Sequence, residues 1–278
     1  MTTGSVAEPA AGDSDANTEP DEASTAASAS AGGAADVAAG AGGCPELMPT
    51  DAARELLVAY KTGDDPAPWL AALAEFDEAA LRPLQTDRDT ALAFWLNCYN
   101  AGTQRLLDER PALYESPLRM VRFFGARCLT VAGTGLSLDD IEQGILRGRS
   151  KYGLGYLPRL LPDTFEVLYG LDDLDPRIHF ALNCGAASCP AIRAYDPDAV
   201  DDQLDRATRA YLDSTVEYDP DAGRVRVPRV FLWYRGDFGG AAGIRDFLRE
   251  YDVIPPGASP SVRHRSWDWS RAGGTFVE

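Results

Sequence analysis

Residues 177–193 read RIHFALNCGAASCPAIR, and the eleven positions 179–189 hold one histidine (His179), one asparagine (Asn183), two thiols (Cys184 and Cys189) and one hydroxyl (Ser188). A thiolate is a strong nucleophile, and imidazole is the side chain whose ordinary pKa suits proton transfer near neutrality. Together they define a thiol-nucleophile centre for acyl transfer: Cys189, or less favourably Cys184, attacks an acyl carbon, His179 serves as base and an asparagine orients the imidazole. The backbone amides of the turn at 185–188, with Ser188, are the candidate donors to a developing oxyanion. The two thiols also allow a reversible disulfide, although their C-x4-C spacing differs from the C-x-x-C of thioredoxin-like motifs. Zinc on His179, Cys184 and Cys189 would lack a fourth ligand and a standard spacing. The competing account is structural, since buried cysteines are ordinary core residues and a lone histidine is commonly just hydrogen-bonded. The chain would then be a non-catalytic binding or scaffold module.

The elements that position these groups follow from periodicity. Ile178, Phe180 and Leu182 alternate with His179, Ala181 and Asn183, which predicts a strand ending at Cys184-Gly185. On that strand Cys184 faces away from His179, whereas Cys189 folds back towards it beyond the turn. The most apolar segment, ALAFWLNCYNAGTQRLLDER, keeps helical register through Leu92, Trp95, Leu96, Tyr99, Thr103 and Leu106, and predicts the central helix, opened by Asp87 or Asp89. Asn97, Asn100 and Gln104 share one face of it. Such amides tie down the backbone of a neighbouring loop, or else orient the histidine or line a pocket.

Two helices precede that segment, one from Thr50 or Asp51 to Thr62 and one after Pro66. A strand at 127–131 and a helix from Ser137, with Ser137 and Asp140 at capping-box spacing, follow it. Residues 148–162 form a Gly/Pro-rich surface loop, a candidate lid. Asp196-Pro197 opens another helix, a hairpin spans 216–227, and two short helices come before a tail carrying His264, Trp267 and Trp269. The fold class is α+β, a single helix-rich domain over 44–278 with a small, mainly antiparallel sheet.

Residues 1–43 contain no Lys, Arg, Leu, Ile or aromatic residue and read as a disordered acidic Ala/Gly/Ser-rich tail. Net charge is −17, and lysine occurs only at 61 and 151. That balance argues against nucleic acid or an anionic membrane as partner and leaves an unidentified small molecule or protein. The acidity itself fits a halophilic cytoplasm, where salt screens carboxylate repulsion. No basic start with an apolar run marks a secretory leader, and no stretch has the length of a membrane span, so the expected location is cytoplasmic. Five cysteines without a leader describe no disulfide framework, and no motif implies a cofactor.

Four stretches, FWLNCYNA (94–101), LSLDDIEQGIL (136–146), DPRIHFALNCGAASCPAIR (175–193) and VPRVFLWYRGDF (227–238), resemble the family of the domain of unknown function 547, and WDWS (267–270) echoes its closing segment. The resemblance covers roughly 92–270. It implies no established activity. Some relatives join the domain to glutaredoxin-like or signalling modules, which points towards thiol chemistry or regulated interaction. Relatives typically carry Glu-His where this chain has Glu142-Gln143. If that histidine is their base, His179 is the one left in the shared motifs.

Overall fold

A computed structural model of the protein describes residues 47–277, so the expected disordered tail and Cys44 lie outside the described residues. Helices α1 (Pro49–Thr62), α2 (Ala67–Glu75) and α3 (Pro83–Thr86) lead into α4 (Arg88–Glu109). The Asp87 side chain caps α4 by accepting from the N–H groups of Asp89 and Thr90. Every residue of α4 from Ala91 to Gln104 is buried, which makes it the central element. Trp95 and Tyr99 on it are sealed from solvent, and each such large side chain contributes about 1.5–3 kcal/mol of burial. Gly102 lets α4 approach the next strand, because a Cβ there would stand 2.7 Å from Cys128 Sγ.

After α5 (Pro117–Gly125), strands β1 (Arg127–Val131) and β2 (Thr134–Ser137) pair antiparallel. The predicted reciprocal cap is present: Asp140 N–H donates to Ser137 Oγ, and Asp140 Oδ2 accepts from Ser137 N–H. The helix it opens is not an ordinary one. Residues Asp140–Leu146 form a π-helix, closed by a bond from Arg147 N–H to Glu142 C=O. Helices α6 (Thr164–Tyr169) and α7 (Val200–Thr215) follow. Strands β3 (Glu217–Asp219) and β4 (Arg224–Val227) form the expected hairpin; α8 (Val230–Trp233) and α9 (Gly240–Glu250) come next. Strand β5 (Ser261–His264) then adds to β4 in parallel. The fold is α+β, helix-rich, with antiparallel pairing in two of three strand contacts.

Two expectations are corrected. Residues 177–183 are not a strand: Pro176–Phe180 is a 3-10 helix whose cap, Asp175, accepts from Arg177 N–H at 3.0 Å. Asp-Pro at its start supplies the cap and the fixed φ of a helical first residue, and this local chemistry overrides the alternation. With three residues per turn, successive side chains diverge by about 120°. Ile178 therefore joins the core around α4, Phe180 joins a second core with Phe231, Phe238 and Phe247, and His179 points elsewhere. Asp196-Pro197 does not start α7, which begins at Val200; the Asp196 carboxylate instead closes a turn on Asp198 N–H. Among the described residues no helix is long and apolar enough to cross a membrane.

Candidate functional site

The loop after the 3-10 helix is held from below by two asparagines of α4. Asn100 Oδ1 accepts from Asn183 N–H at 2.9 Å, and its Nδ2 donates to Ala181 C=O at 3.1 Å. Asn97 grips the Tyr195 backbone, its Nδ2 donating to the C=O and its Oδ1 accepting from the N–H, both at 2.8 Å. Both side chains are fully buried. These amides fix the two ends of the loop and make no bond to His179.

Asn183 braces the loop from inside. Its Oδ1 accepts from Gly185 N–H and its Nδ2 donates to Pro190 C=O, which folds residue 190 back over residue 184. Gly185 sits at φ 88°, where a side chain is disfavoured, and a Cβ there would meet Leu107 at 2.9 Å. The fold-back brings the thiols together. Cys189 Sγ lies 2.8 Å from Cys184 Sγ and accepts from Cys184 N–H at 3.2 Å. Burial pushes the Cys189 thiol up, but the thiol of Cys184 and the N–H groups of Cys184 and Ala186 outweigh it and hold Cys189 below the usual thiol value. The contact with Cys189 and desolvation push the Cys184 thiol well above that value. Both are half-buried, while Cys98 and Cys128 are sealed in the core and raised by desolvation.

A cavity of about 350 Å³ collects the reactive groups: His179, Cys184, Cys189, Glu142, Gln143 and Tyr234 all line it. Cys184 thus does not face away from His179, as strand geometry required. Trp233, Trp267 and Trp269 make one wall, and Tyr152, Gly153 and Leu154 of the 148–162 loop make another, so the candidate lid lies at this cavity. His179 stacks on Tyr234 with ring centroids 3.9 Å apart, and its Nε2 lies 2.8 Å from Asp237 Oδ2. Burial lowers the His179 pKa, more than the Asp237 carboxylate raises it, so the ring is neutral near pH 7. Burial works against the Asp237 carboxylate too, yet His179 and Arg147 hold it below the usual range. Arg147 meets Asp237 through two bonds, Nε to Oδ2 at 2.6 Å and Nη2 to Oδ1 at 2.9 Å.

Glu142, brought inward by the π-helix, accepts from Tyr99 at 3.0 Å and from Tyr234 at 2.5 Å. Gln143 accepts from Arg147 and lines this same cavity. Ser188 is turned away: its Oγ accepts from Asp268 N–H, and the amides of Ala187, Ser188 and Cys189 are bonded to Ser270, Asp268 and Ala186 carbonyls. The expected oxyanion donors are therefore already engaged. Among the described residues no group of three or more His, Cys, Asp or Glu side chains is placed to hold a metal ion.

Sequence reasoning missed Asp237, Arg147, Glu142, Tyr99 and Tyr234. All but Arg147 lie inside the quoted motifs. The available signal was only the presence of an acid in RGDF and another in DDIEQ within these motifs.

A search of curated proteins finds no match, and a search of solved structures finds none. The motifs VPRVFLWYRGDF and WDWS fall outside the one family match. Residues 83–212, which hold Asn97, Glu142, His179, Cys184 and Cys189, match the model of the family that the motifs resemble, described as "Protein of unknown function, DUF547".

Proposed function

We propose that the cavity is a thiol-nucleophile centre for acyl transfer or hydrolysis, with Cys189 as nucleophile. The observation that carries this reading is the Cys184 N–H donating to Cys189 Sγ at 3.2 Å, with the Cys184 thiol 2.8 Å away, in a cavity also lined by His179. Donors of this kind favour thiolate, the reactive form. Cys189 sulfur adds to the acyl carbon, the leaving group departs with a proton, and a thioester remains for water or an acceptor to resolve. His179, neutral and oriented by Asp237 rather than by an asparagine, supplies and takes up the proton. The aromatic wall of Trp233, Trp267 and Trp269 suits an apolar or planar acyl group.

Intact-mass analysis after brief exposure to p-nitrophenyl acetate tests this. The expected result is one acetyl adduct on Cys189, absent in Cys189→Ala, with its turnover slowed about 10²-fold or more by His179→Ala. An adduct spread over other residues, or none, leaves the cavity as a non-catalytic binding site.

The Sγ–Sγ distance of 2.8 Å favours a second reading, thiol redox through Cys184 and Cys189. Cys189 thiolate would attack an oxidised sulfur or peroxide, and Cys184 would displace the product to close a disulfide. A glutathione redox titration, read by mass, would find this pair oxidising reversibly. No disulfide under oxidising buffer would end that reading.

A further inference from the structure

A second cavity, of about 430 Å³, shares Cys189, Pro190 and Trp267 with the first. Its charge is opposite to that of the chain. The sequence has 43 acidic against 26 basic residues, yet among the described residues the charged side chains lining this cavity are Arg193 and Arg265, with no carboxylate beside them. The thiol cavity, by contrast, is lined by Asp139 and Glu142.

Arg193 is half-buried and, among the described residues, makes no side-chain hydrogen bond or ion pair; its Nε is sealed from solvent without a partner. Trp267 Nε1, on the shared wall, is likewise buried without an acceptor. Desolvated donors are costly unless something accepts from them. Arg265 is only partly neutralised. It donates to Thr215 C=O at 2.8 Å and stands 3.2 Å from Glu217, a carboxylate that also faces Arg226 at 3.7 Å. On the adjoining sheet face, Arg226 of β4 is register partner to Arg263 of β5, a like-charge pairing that costs stability in isolation. Arg226 and Arg263 line a separate neighbouring cavity with Glu217, so the positive potential of the second cavity comes from Arg193 and Arg265.

We infer that this second cavity is an anion subsite of the thiol centre: Arg193 and Arg265 bind a carboxylate or phosphate group of the substrate, placing its reactive carbon at Cys189. The inference rests on the reading of Cys189 as the reactive thiol, and it names the substrate class as an anionic acyl compound. Arg193 holds the group by its free guanidinium edge, and Arg265 closes on it from the sheet side.

Alkylation of the full-length protein by iodoacetate and by iodoacetamide, mapped to each cysteine by peptide mass, tests it. The two reagents place the same carbon on sulfur and differ in charge. The iodoacetate-to-iodoacetamide rate ratio at Cys189 should exceed that of glutathione by about tenfold at low salt and fall towards it as salt rises. Arg193→Gln should lower the ratio several-fold, because the ratio cancels any change in thiolate fraction common to both reagents, while an unchanged far-UV spectrum and urea midpoint show that the fold persists; Arg193→Lys should retain part of the preference. Succinate or inorganic phosphate should protect Cys189 from iodoacetate, and whichever protects at lower concentration identifies the anion. Reaction with both reagents at the glutathione ratio, or a preference insensitive to Arg193→Gln, overturns the subsite and leaves the thiol centre standing. Failure of Cys189 to react with either reagent overturns the thiol centre and the subsite with it.

Discussion

His179 and Asp237 meet at 2.8 Å, Nε2 to Oδ2, and the carboxylate that orients the imidazole is the same one that neutralises Arg147. The side chains of all three are essentially sealed from water. Asp237→Asn would leave the Arg147 guanidinium buried without a counter-charge. The expected loss is about 3–5 kcal/mol, read as a fall in the urea midpoint. A loss below about 1 kcal/mol would show that water reaches Arg147, and the orienting role of Asp237 would lose its support.

The same pair sets a pH dependence. The folded-state pKa of His179 is lowered from its ordinary 6.5 by burial, against the pull of Asp237, with Arg147 lowering it and Glu142 opposing. Below about pH 6.5 the unfolded chain binds a proton that the folded site refuses, so stability falls as pH falls through that window. Asp237, also lowered, adds a further loss in the carboxylate range, and His264 shifts in the same direction as His179. Urea midpoints at pH 7.5 and 5.5 should therefore differ more for the wild type than for His179→Gln. Equal differences would mean that His179 is protonated in the fold.

Asn97 and Asn100 each satisfy one backbone N–H and one C=O in the interior. Asn97→Ala and Asn100→Ala should each cost about 1–3 kcal/mol, since each strands a buried donor and acceptor. Asn100→Ala should also disturb the Cys184–Cys189 geometry, because it frees Asn183, and so change the alkylation rate at Cys189. Denaturation curves unchanged for both variants would contradict the bracing role.

The helical frame was legible because α4 carries its own apolar register and an Asp cap, and the pair Ser137/Asp140 closes as its spacing predicts. The 177–183 segment was misread because alternation over seven residues cannot distinguish a strand from a 3-10 turn whose side chains serve three surroundings. The thiol pair and His179 were legible by residue type, and the structure gathers them in one cavity. Their electrostatic partners were not. Asp237 lies 58 residues from His179, and Tyr234 lies 92 from Glu142, so only the tertiary fold relates them. Nothing in the local sequence signals that 140–146 widens into a π-helix and turns Glu142 inward.

A net charge of −17 with few lysines predicts stability that depends on salt. Lowering ionic strength from molar to about 0.01 M lengthens the screening distance to roughly 30 Å, and the surface carboxylates then repel across the molecule. The melting temperature should fall clearly over that range. A flat response would remove the halophilic reading and leave the acidity without a physical role.

The 148–162 loop meets the cavity in a close backbone contact at Gly236, besides the Arg149 N–H bond to Gln143 C=O and the Lys151–Asp139 ion pair. Gly236 N–H donates to Leu154 C=O at 2.6 Å, and a Cβ on Gly236 would stand 2.5 Å from the Gly155 carbonyl carbon and 2.7 Å from Tyr156 N. Those are backbone atoms, which cannot rotate aside as a side chain would. Gly236→Ala should therefore displace the loop, and with it Tyr152 and Leu154, which line the cavity. The rest of the core does not depend on this contact, because Tyr152, Tyr156, Leu157, Leu160 and Leu161 are already exposed. The variant should keep its far-UV spectrum and lose only about 1–3 kcal/mol of stability, the usual cost of forced overpacking. It should be cleaved by protease within 149–161 faster than the wild type. Cys184 and Cys189 should alkylate faster with iodoacetamide, since the wall above them is withdrawn. Unchanged cleavage and unchanged alkylation would show that the loop is held elsewhere and does not govern access to the thiols.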